Sequence, residues 1–299
     1  MAISGRITDR SIHTRVLANL QRNLAKGDKI QDQLSSGKQI NRPSDSPTGT
    51  VSSMQLRAES RANEQFVRNA DDGLGWLSTT ESTLTGASAL LNRARDLTVQ
   101  GLNTGANSAQ SNEALAAEID QIVGSMVSYA NTKYLDRPVF GGTTAKPLAY
   151  EDDGTYVGDS GETKRSVAPG ENGKVRVDVN GPEAFGTGTD SVFAVLKSIA
   201  TNIRAGDGAK LADDLKNLDK AATSLKTMIS DVGSRYNRIT QMRDSAQDRV
   251  LSVTSQLSEI EDIDLPKTIM EMQLQQTSYQ AALAASAKVI QPSLIDFLR

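Results

Sequence analysis

The chain has no cysteine, one histidine and only eight prolines in 299 residues. Without cysteine there is no disulfide framework, no thiolate nucleophile and no sulfur ligand for a metal. The single histidine, His13, excludes a multi-histidine metal site and leaves a Ser-His-Asp triad without support. On its polar N-terminal stretch it reads as a solvated residue. Aromatic residues make up 4% and hydrophobic residues 37% of the chain. That composition fills narrow helix seams rather than a thick core. Charge is nearly balanced, with 33 basic and 36 acidic residues and a net charge of -3, which gives a nucleic-acid partner no electrostatic footing. No apolar run reaches the length of a membrane span, and "MAISGRITDR" at the N-terminus lacks the apolar centre of a signal peptide. Neither membrane insertion nor export by a cleavable signal is therefore expected.

What the sequence does contain is helical periodicity. Leu211, Leu215, Leu218, Ala222, Leu225, Ile229, Val232, Tyr236 and Ile239 alternate steps of four and three. Ala246, Val250, Val253, Leu257 and Ile260 continue the register after Arg243. This is a heptad seam, and it predicts one helix of about 50 residues, roughly 75 Å long. The register breaks at "EDIDLPK", where Asp262, Asp264 and Pro266 disfavour helix. A second seam follows through Ile269, Met272, Gln276, Tyr279, Leu283, Ile290 and Phe297.

The N-terminal half has the same plan. Leu17, Leu20, Leu24 and Leu34 predict one seam, diluted by Gly27 and Gln31. A long helix is expected from about Pro47 to Gly101, and a further amphipathic helix carries Leu115, Ile119, Ile122, Met126 and Tyr129. Between Phe140 and Gly188 the composition turns to Gly, Asp and Thr. There "KVRVDVNG" sets Val175, Val177 and Val179 on one face of a strand, and "EDDGTYV" and "PGENGK" read as turns. Helix resumes near Thr189 with Val192, Leu196, Ile199 and Ile203 on one stripe.

These signals predict a mainly α protein: an elongated rod of long antiparallel helices and coiled coil with a small β-containing insertion. The expected segments are an N-terminal coiled-coil arm (1–44), a first helical part (45–139), the β-rich insertion (140–188), a second helical part (189–262) and a C-terminal arm (263–299). Neither arm has a core of its own, so the two are expected to pair.

No constellation carries catalytic chemistry. The acidic turn Glu151–Asp153 lacks the alternating ligands of a calcium loop. "GPEAFGTG" has the glycine spacing of a phosphate loop without its Lys-Ser/Thr and reads as a plain loop. Trp76 reads as a packing residue. No acid, base and oxyanion donor assemble, so no enzyme activity, metal or cofactor is expected.

The segment "LSSGKQINRPSDSPTG" (Leu34–Gly49) interrupts the helices and resembles the loop after the first helix of the bacterial flagellin family. Leu34, Ser35, Ser36, Gly37, Lys38, Ile40, Asn41, Ser44 and Asp45 match that pattern. Gly37 can end the arm helix in a left-handed conformation, and Ser44 or Asp45 can cap the helix opening at Pro47. "LAAEIDQI" (Leu115–Ile122) and the C-terminal stretch from Ile260 to Leu298 resemble the same family, although Pro266 departs from its usual small helix former. "RPSDSP" and "RPVFGG" resemble the hook–filament junction group within that family rather than the filament subunit itself.

The resemblance implies a structural part of the flagellum, an adaptor between hook-associated protein 1 and flagellin that also contacts copies of itself. It implies export unfolded with a chaperone and an extracellular location at the junction. The implied inner-layer assembly residues are Leu17, Leu20, Leu24, Leu34, Ile269, Tyr279, Leu283, Ile290, Leu294, Phe297 and Leu298. Gly37, Asn41, Ser44 and Asp45 form the implied turn and cap between layers. The filament subunit is the alternative within the family, and an intracellular coiled-coil binding protein is the alternative outside it.

Overall fold

A computed structural model describes residues 9–103 and 108–290. The chain is mainly α. It divides into one compact unit of Met1–Arg61 with Leu251–Arg299 and a second of Ala62–Val250.

The second unit is built on two long helices, α2 (Pro47–Leu102) and α6 (Gly208–Glu261), whose outer ends belong to the first unit. Along α2 the buried positions repeat every seven residues, through Ala70, Leu77, Leu84 and Leu91, and again through Thr80, Ala87 and Ala94. Along α6 the buried apolar residues are Leu211, Leu218, Leu225, Val232, Ile239 and Ala246, with Val253 continuing the series. A strict seven-residue repeat keeps one seam facing its partner over many turns. The two helices run antiparallel. Gly73 lies against Ile239, Arg95 pairs with Asp219 at 2.8 Å, and Gly101 lies against Leu211.

Helices α3 (Ala109–Ala130) and α5 (Val192–Ala205) pack on each other and close this core. Ser108 caps α3 and Ser191 caps α5, each side chain accepting from a backbone N–H of the first turn. Leu115, Ile119, Ile122 and Met126 are buried as their period predicts, and so are Val192, Leu196, Ile199 and Ile203. Tyr129 is the exception, exposed at the helix edge over Gly86, where a Cβ would meet its ring at 2.8 Å.

The β-containing insertion differs from expectation in detail. Its first hairpin, β1 (Lys133–Tyr134) with β2 (Arg137–Pro138), lies before residue 140. A second pair, β3 (Lys164–Ser166) with β4 (Lys174–Arg176), is also antiparallel. The predicted strand at Lys174–Gly181 thus stops at Arg176, although Val175, Val177 and Val179 all point into the core. "GPEAFGTG" is not a plain loop, because Gly181–Phe185 forms the one-turn helix α4. The Glu183 carboxylate accepts the Asn180 N–H at 3.3 Å, half of a capping box that the Asn-x-x-Glu spacing could have signalled.

Five of the chain's few aromatics gather here. Phe140, Tyr150, Tyr156, Phe185 and Phe193 stack edge-on or tilted with centroids 4.9–5.8 Å apart. Asn131 fastens the segment to the end of α3: its side-chain oxygen accepts from Ala149 N and Tyr150 N, and its amide donates to Tyr150 O, all at 2.8–2.9 Å. Trp76 packs edge-on against Tyr134 at 5.7 Å, with the Arg137 guanidinium 5.8 Å over its ring.

Candidate assembly surface at the paired chain ends

The first unit contains the helix breaks. Helix α1 (Asp9–Ser36) ends where Gly37 adopts φ +68°, the left-handed conformation open to glycine. The next helix, α2, is capped by Ser46, not by Ser44 or Asp45. The Ser46 hydroxyl accepts the Gly49 N–H at 3.2 Å and its carbonyl accepts the Thr50 N–H at 2.8 Å, with Pro47 at the first helical position. Asp45 faces the other way: its carboxylate accepts the N–H of Arg42 at 2.9 Å and of Asn41 at 3.3 Å, and pairs with Lys29 at 3.1 Å. Lys29 and these backbone donors hold the Asp45 carboxyl below the usual aspartate range. Asn41 and Ser44 are exposed. Three oxygen-bearing residues in a row made the cap ambiguous from sequence, and the residue directly before Pro47 took it.

The C-terminal break matches the N-terminal one. Helix α6 ends at Glu261 and α7 spans Leu265–Ile290, so the helix breaks at residues 262–264, just before Pro266. Pro266 sits in the first turn of α7, where its missing N–H is no loss, and the Asp264 carboxylate caps that turn by accepting from Lys267 N at 3.2 Å. The two breaks lie side by side. Gln39 N–H donates to Glu261 O at 2.5 Å, and Ile263 N–H donates to Gly37 O at 3.1 Å, a short antiparallel bridge.

Over this bridge sits a charge cluster. The Glu261 side chain is only 4% exposed, and its Oε2 lies 2.7 Å from the Arg57 guanidinium and 3.5 Å from the Lys38 ammonium. Lys38 also meets Asp262 at 2.6 Å, and Ser258 donates to the same Asp262 carboxylate. Burial pushes the Glu261 carboxyl up; Arg57, the Ser53 hydroxyl and Lys38 outweigh it and hold the group below its ordinary value.

Beyond the breaks, α1 and α7 pack antiparallel, with Gln275 donating to Asn23 O at 2.8 Å and lying against Gly27. Their seam is not the one the periodicity selected. On α1 it runs through Val16, Leu20, Asn23, Gly27, Ile30 and Leu34. On α7 it runs through Thr268, Met272, Gln275, Tyr279 and Ala282. Leu20, Leu34 and Tyr279 lie in the seam as expected. Leu17 and Leu24 are 58% and 53% exposed, and Ile269 and Leu283 also face out. Met272 and Tyr279 belong to both candidate α7 faces, so step counting could not decide which face turns inward. The hydrogen bond from Gln275 and the missing side chain at Gly27 favour the polar one. The side chain of Ile290, and Leu294, Phe297 and Leu298, lie outside the described residues, as does the side chain of His13.

The result is an uneven distribution of apolar surface. Among the described residues, the first unit exposes Leu17, Leu24, Val51, Met54, Leu251, Leu265, Ile269, Met270, Leu274 and Leu283. The larger second unit exposes Val99, Tyr129, Leu135 and Leu148. Scattered exposed apolar residues are ordinary; ten large ones concentrated in the smaller unit make it the candidate interaction surface.

The fold is that of a mainly helical protein whose first and last described helices pair. Family models place it more closely. The bacterial flagellin N-terminal helical region matches residues 7–143, and the bacterial flagellin C-terminal helical region matches residues 215–298. The chain belongs to the bacterial flagellin family, whose members are structural proteins of the flagellum. It is 29% identical over 303 residues to the flagellin of Bacillus subtilis (strain 168), covering 96% of each chain. It is 25% identical over 304 residues to the flagellar hook-associated protein 3 of Escherichia coli (strain K12), covering 94% of this chain and 95% of that one. Among solved structures, Bacillus cereus FlgL is similar with a TM-score of 0.60 and 27% identity, covering 68% of this chain and 99% of that one.

Proposed function

We propose that this chain is the adaptor at the hook–filament junction, seated between hook-associated protein 1 and the first flagellin layer. The observation that carries the reading is the exposed apolar surface of α1 and α7, on a helix pair whose own seam is narrow and interrupted by Asn23, Gly27, Thr268 and Gln275. A pair of helices arranged that way buries Leu17, Leu24, Leu274 and Leu283 only against neighbouring subunits. The inner-layer residues of this reading are Leu17, Leu20, Leu24, Leu34, Ile269, Tyr279, Leu283, Ile290, Leu294, Phe297 and Leu298, within arms 1–44 and 263–299. Copies of the chain supply the lateral neighbours. Export proceeds unfolded, with a chaperone and without a cleaved signal, to an extracellular site. "RPSDSP" and "RPVFGG" favour the junction over the filament, as does the likeness to hook-associated protein 3.

Similarity to the Bacillus subtilis flagellin over nearly the whole chain supports a second reading, the filament subunit itself. Immunogold labelling of intact flagella separates the two. Label confined to the hook end is the expected result, and label along the filament overturns the junction reading. Purified protein in a salting-out anion is expected to stop at short caps, because an adaptor need not complement itself head to tail. Extended filaments would assign it to the filament.

A further inference from the structure

The cluster around Glu261 is more than a surface ion pair. Exposed pairs contribute little and many are not measurable, but Glu261 is buried and its carboxylate meets two cations, Arg57 on α2 and Lys38 on the first break, with the Ser53 hydroxyl of α2 helping to hold it ionised. Its own backbone carbonyl accepts the bridging Gln39 N–H. One residue thus fixes the end of α6, the start of the first break and the flank of α2.

We propose that Glu261 is the positioning residue of a clasp that fastens the two helix breaks to each other and to α2, and that the clasp opens when the carboxylate is protonated. The groups facing it are Arg57 and Ser53 from α2 and Lys38 from the first break. Asp262 and Ser258 stand on the far side of Lys38. Below the Glu261 titration, Arg57 and Lys38 lose their buried counter-charge and repel one another across a neutral acid. Both bridge hydrogen bonds then loosen together, because each break is anchored through the same residue.

The direction in pH follows from the charges. Glu261 is held below its ordinary value of 4.5, so its contribution is present above that value and is lost as pH falls through the lower folded value. Asp262 is likewise held low, by Lys38 first and Ser258 second, and acts in the same sense. Lys38 is raised above 10.5 by Asp262, so its contribution is lost only as pH rises through that higher value. The clasp is closed between these limits and opens in acid.

The test is hydrogen exchange on the full chain, read at the Gln39 and Ile263 amides as protection relative to the free-peptide rate at each pH. In wild type, protection of both amides is expected to fall by about tenfold or more between pH 7 and pH 3.5, the two moving together. Glu261→Gln keeps the shape and removes the charge. It is expected to show reduced protection already at pH 7 and a smaller change on acidification than wild type, the remainder belonging to Asp262. Lys38→Gln with Arg57→Gln removes the cations and is expected to lose the acid step. Trp76 emission, which reports on the second unit, is the folding control. Wild-type protection in Glu261→Gln at pH 7 overturns the proposal. So does a pH-independent wild type, or a Glu261→Gln variant in which Trp76 emission changes as well, since Glu261 would then support the whole chain rather than the clasp.

Discussion

Gln275 on α7 donates its side-chain amide to the backbone carbonyl of Asn23 on α1, at 2.8 Å, and rests on Gly27 one turn further on. The contact joins residues 252 positions apart and lies in the seam where a leucine would be expected. A buried polar group bonded at one register only makes sliding of the helix pair costly, because any slip leaves it unpaired. Gln275→Ala is expected to lose about 1 kcal/mol of local stability. Hydrogen exchange across Gln21–Asp28 would reveal it as faster opening of that turn. Unchanged exchange there would mean that the seam is held elsewhere.

The hairpin tip predicts the opposite sign. Leu135 and Asp136 have φ of +46° and +62°, a turn whose two central positions favour Asn and Gly, and Leu135 is exposed. A left-handed leucine costs about 1–2 kcal/mol. Replacing the pair with Asn-Gly should raise the melting temperature by roughly 2–8 °C, at about 2–4 °C per kcal/mol for a unit of this size. Trp76 fluorescence suits the measurement because the ring packs on Tyr134 beside the tip. An unchanged or lower melting temperature would show that the leucine makes a compensating contact.

Much of this architecture was legible because heptads are a long-range signal. The run from Leu211 to Val253 fixes one helix and its inward face from residues seven apart, and the apolar stripe from Val192 to Ile203 does the same for α5. The failures share a cause, which is that a choice between adjacent residues depends on what lies opposite. Ser44, Asp45 and Ser46 are chemically interchangeable caps until the turn geometry selects the last. Ile269 and Thr268 head competing faces of α7, and only Gln275 with Asn23 decides between them. Glu261, Lys38 and Arg57 were invisible as a group, since their separations of 19 and more than 200 positions carry no local pattern.

Asn131 is predicted to be the most sensitive polar residue of the second unit. It satisfies two backbone donors and one acceptor at Ala149 and Tyr150, both buried. Asn131→Ala would leave those groups unpaired in the interior, at a cost of about 2–4 kcal/mol. Chemical denaturation followed by Trp76 emission should register a lower midpoint at unchanged slope. A loss below about 0.5 kcal/mol, within the range of ordinary surface substitutions, would mean that the segment is held by its aromatic cluster alone.

The proposed assembly surface makes the sharpest separation between folding and function. Leu274 is 68% exposed on α7, whereas Leu225 is fully buried in the α6 seam. Leu225→Ala should destabilise the chain by about 2–5 kcal/mol through lost burial and a cavity. Leu274→Asp removes no internal contact, so its stability should stay within about 0.5 kcal/mol of wild type. In a subunit layer, however, a carboxylate at position 274 would be forced against apolar neighbours without a partner, a cost large enough to prevent docking. The measurement is incorporation into flagella of a strain lacking the native protein, with the secreted amount quantified alongside to separate export from assembly. The expected outcome for Leu274→Asp is normal melting, normal secretion and no motility. A secreted Leu274→Asp chain that still restores swimming would remove α7 from the docking surface and leave the exposed leucines of α1 to carry it.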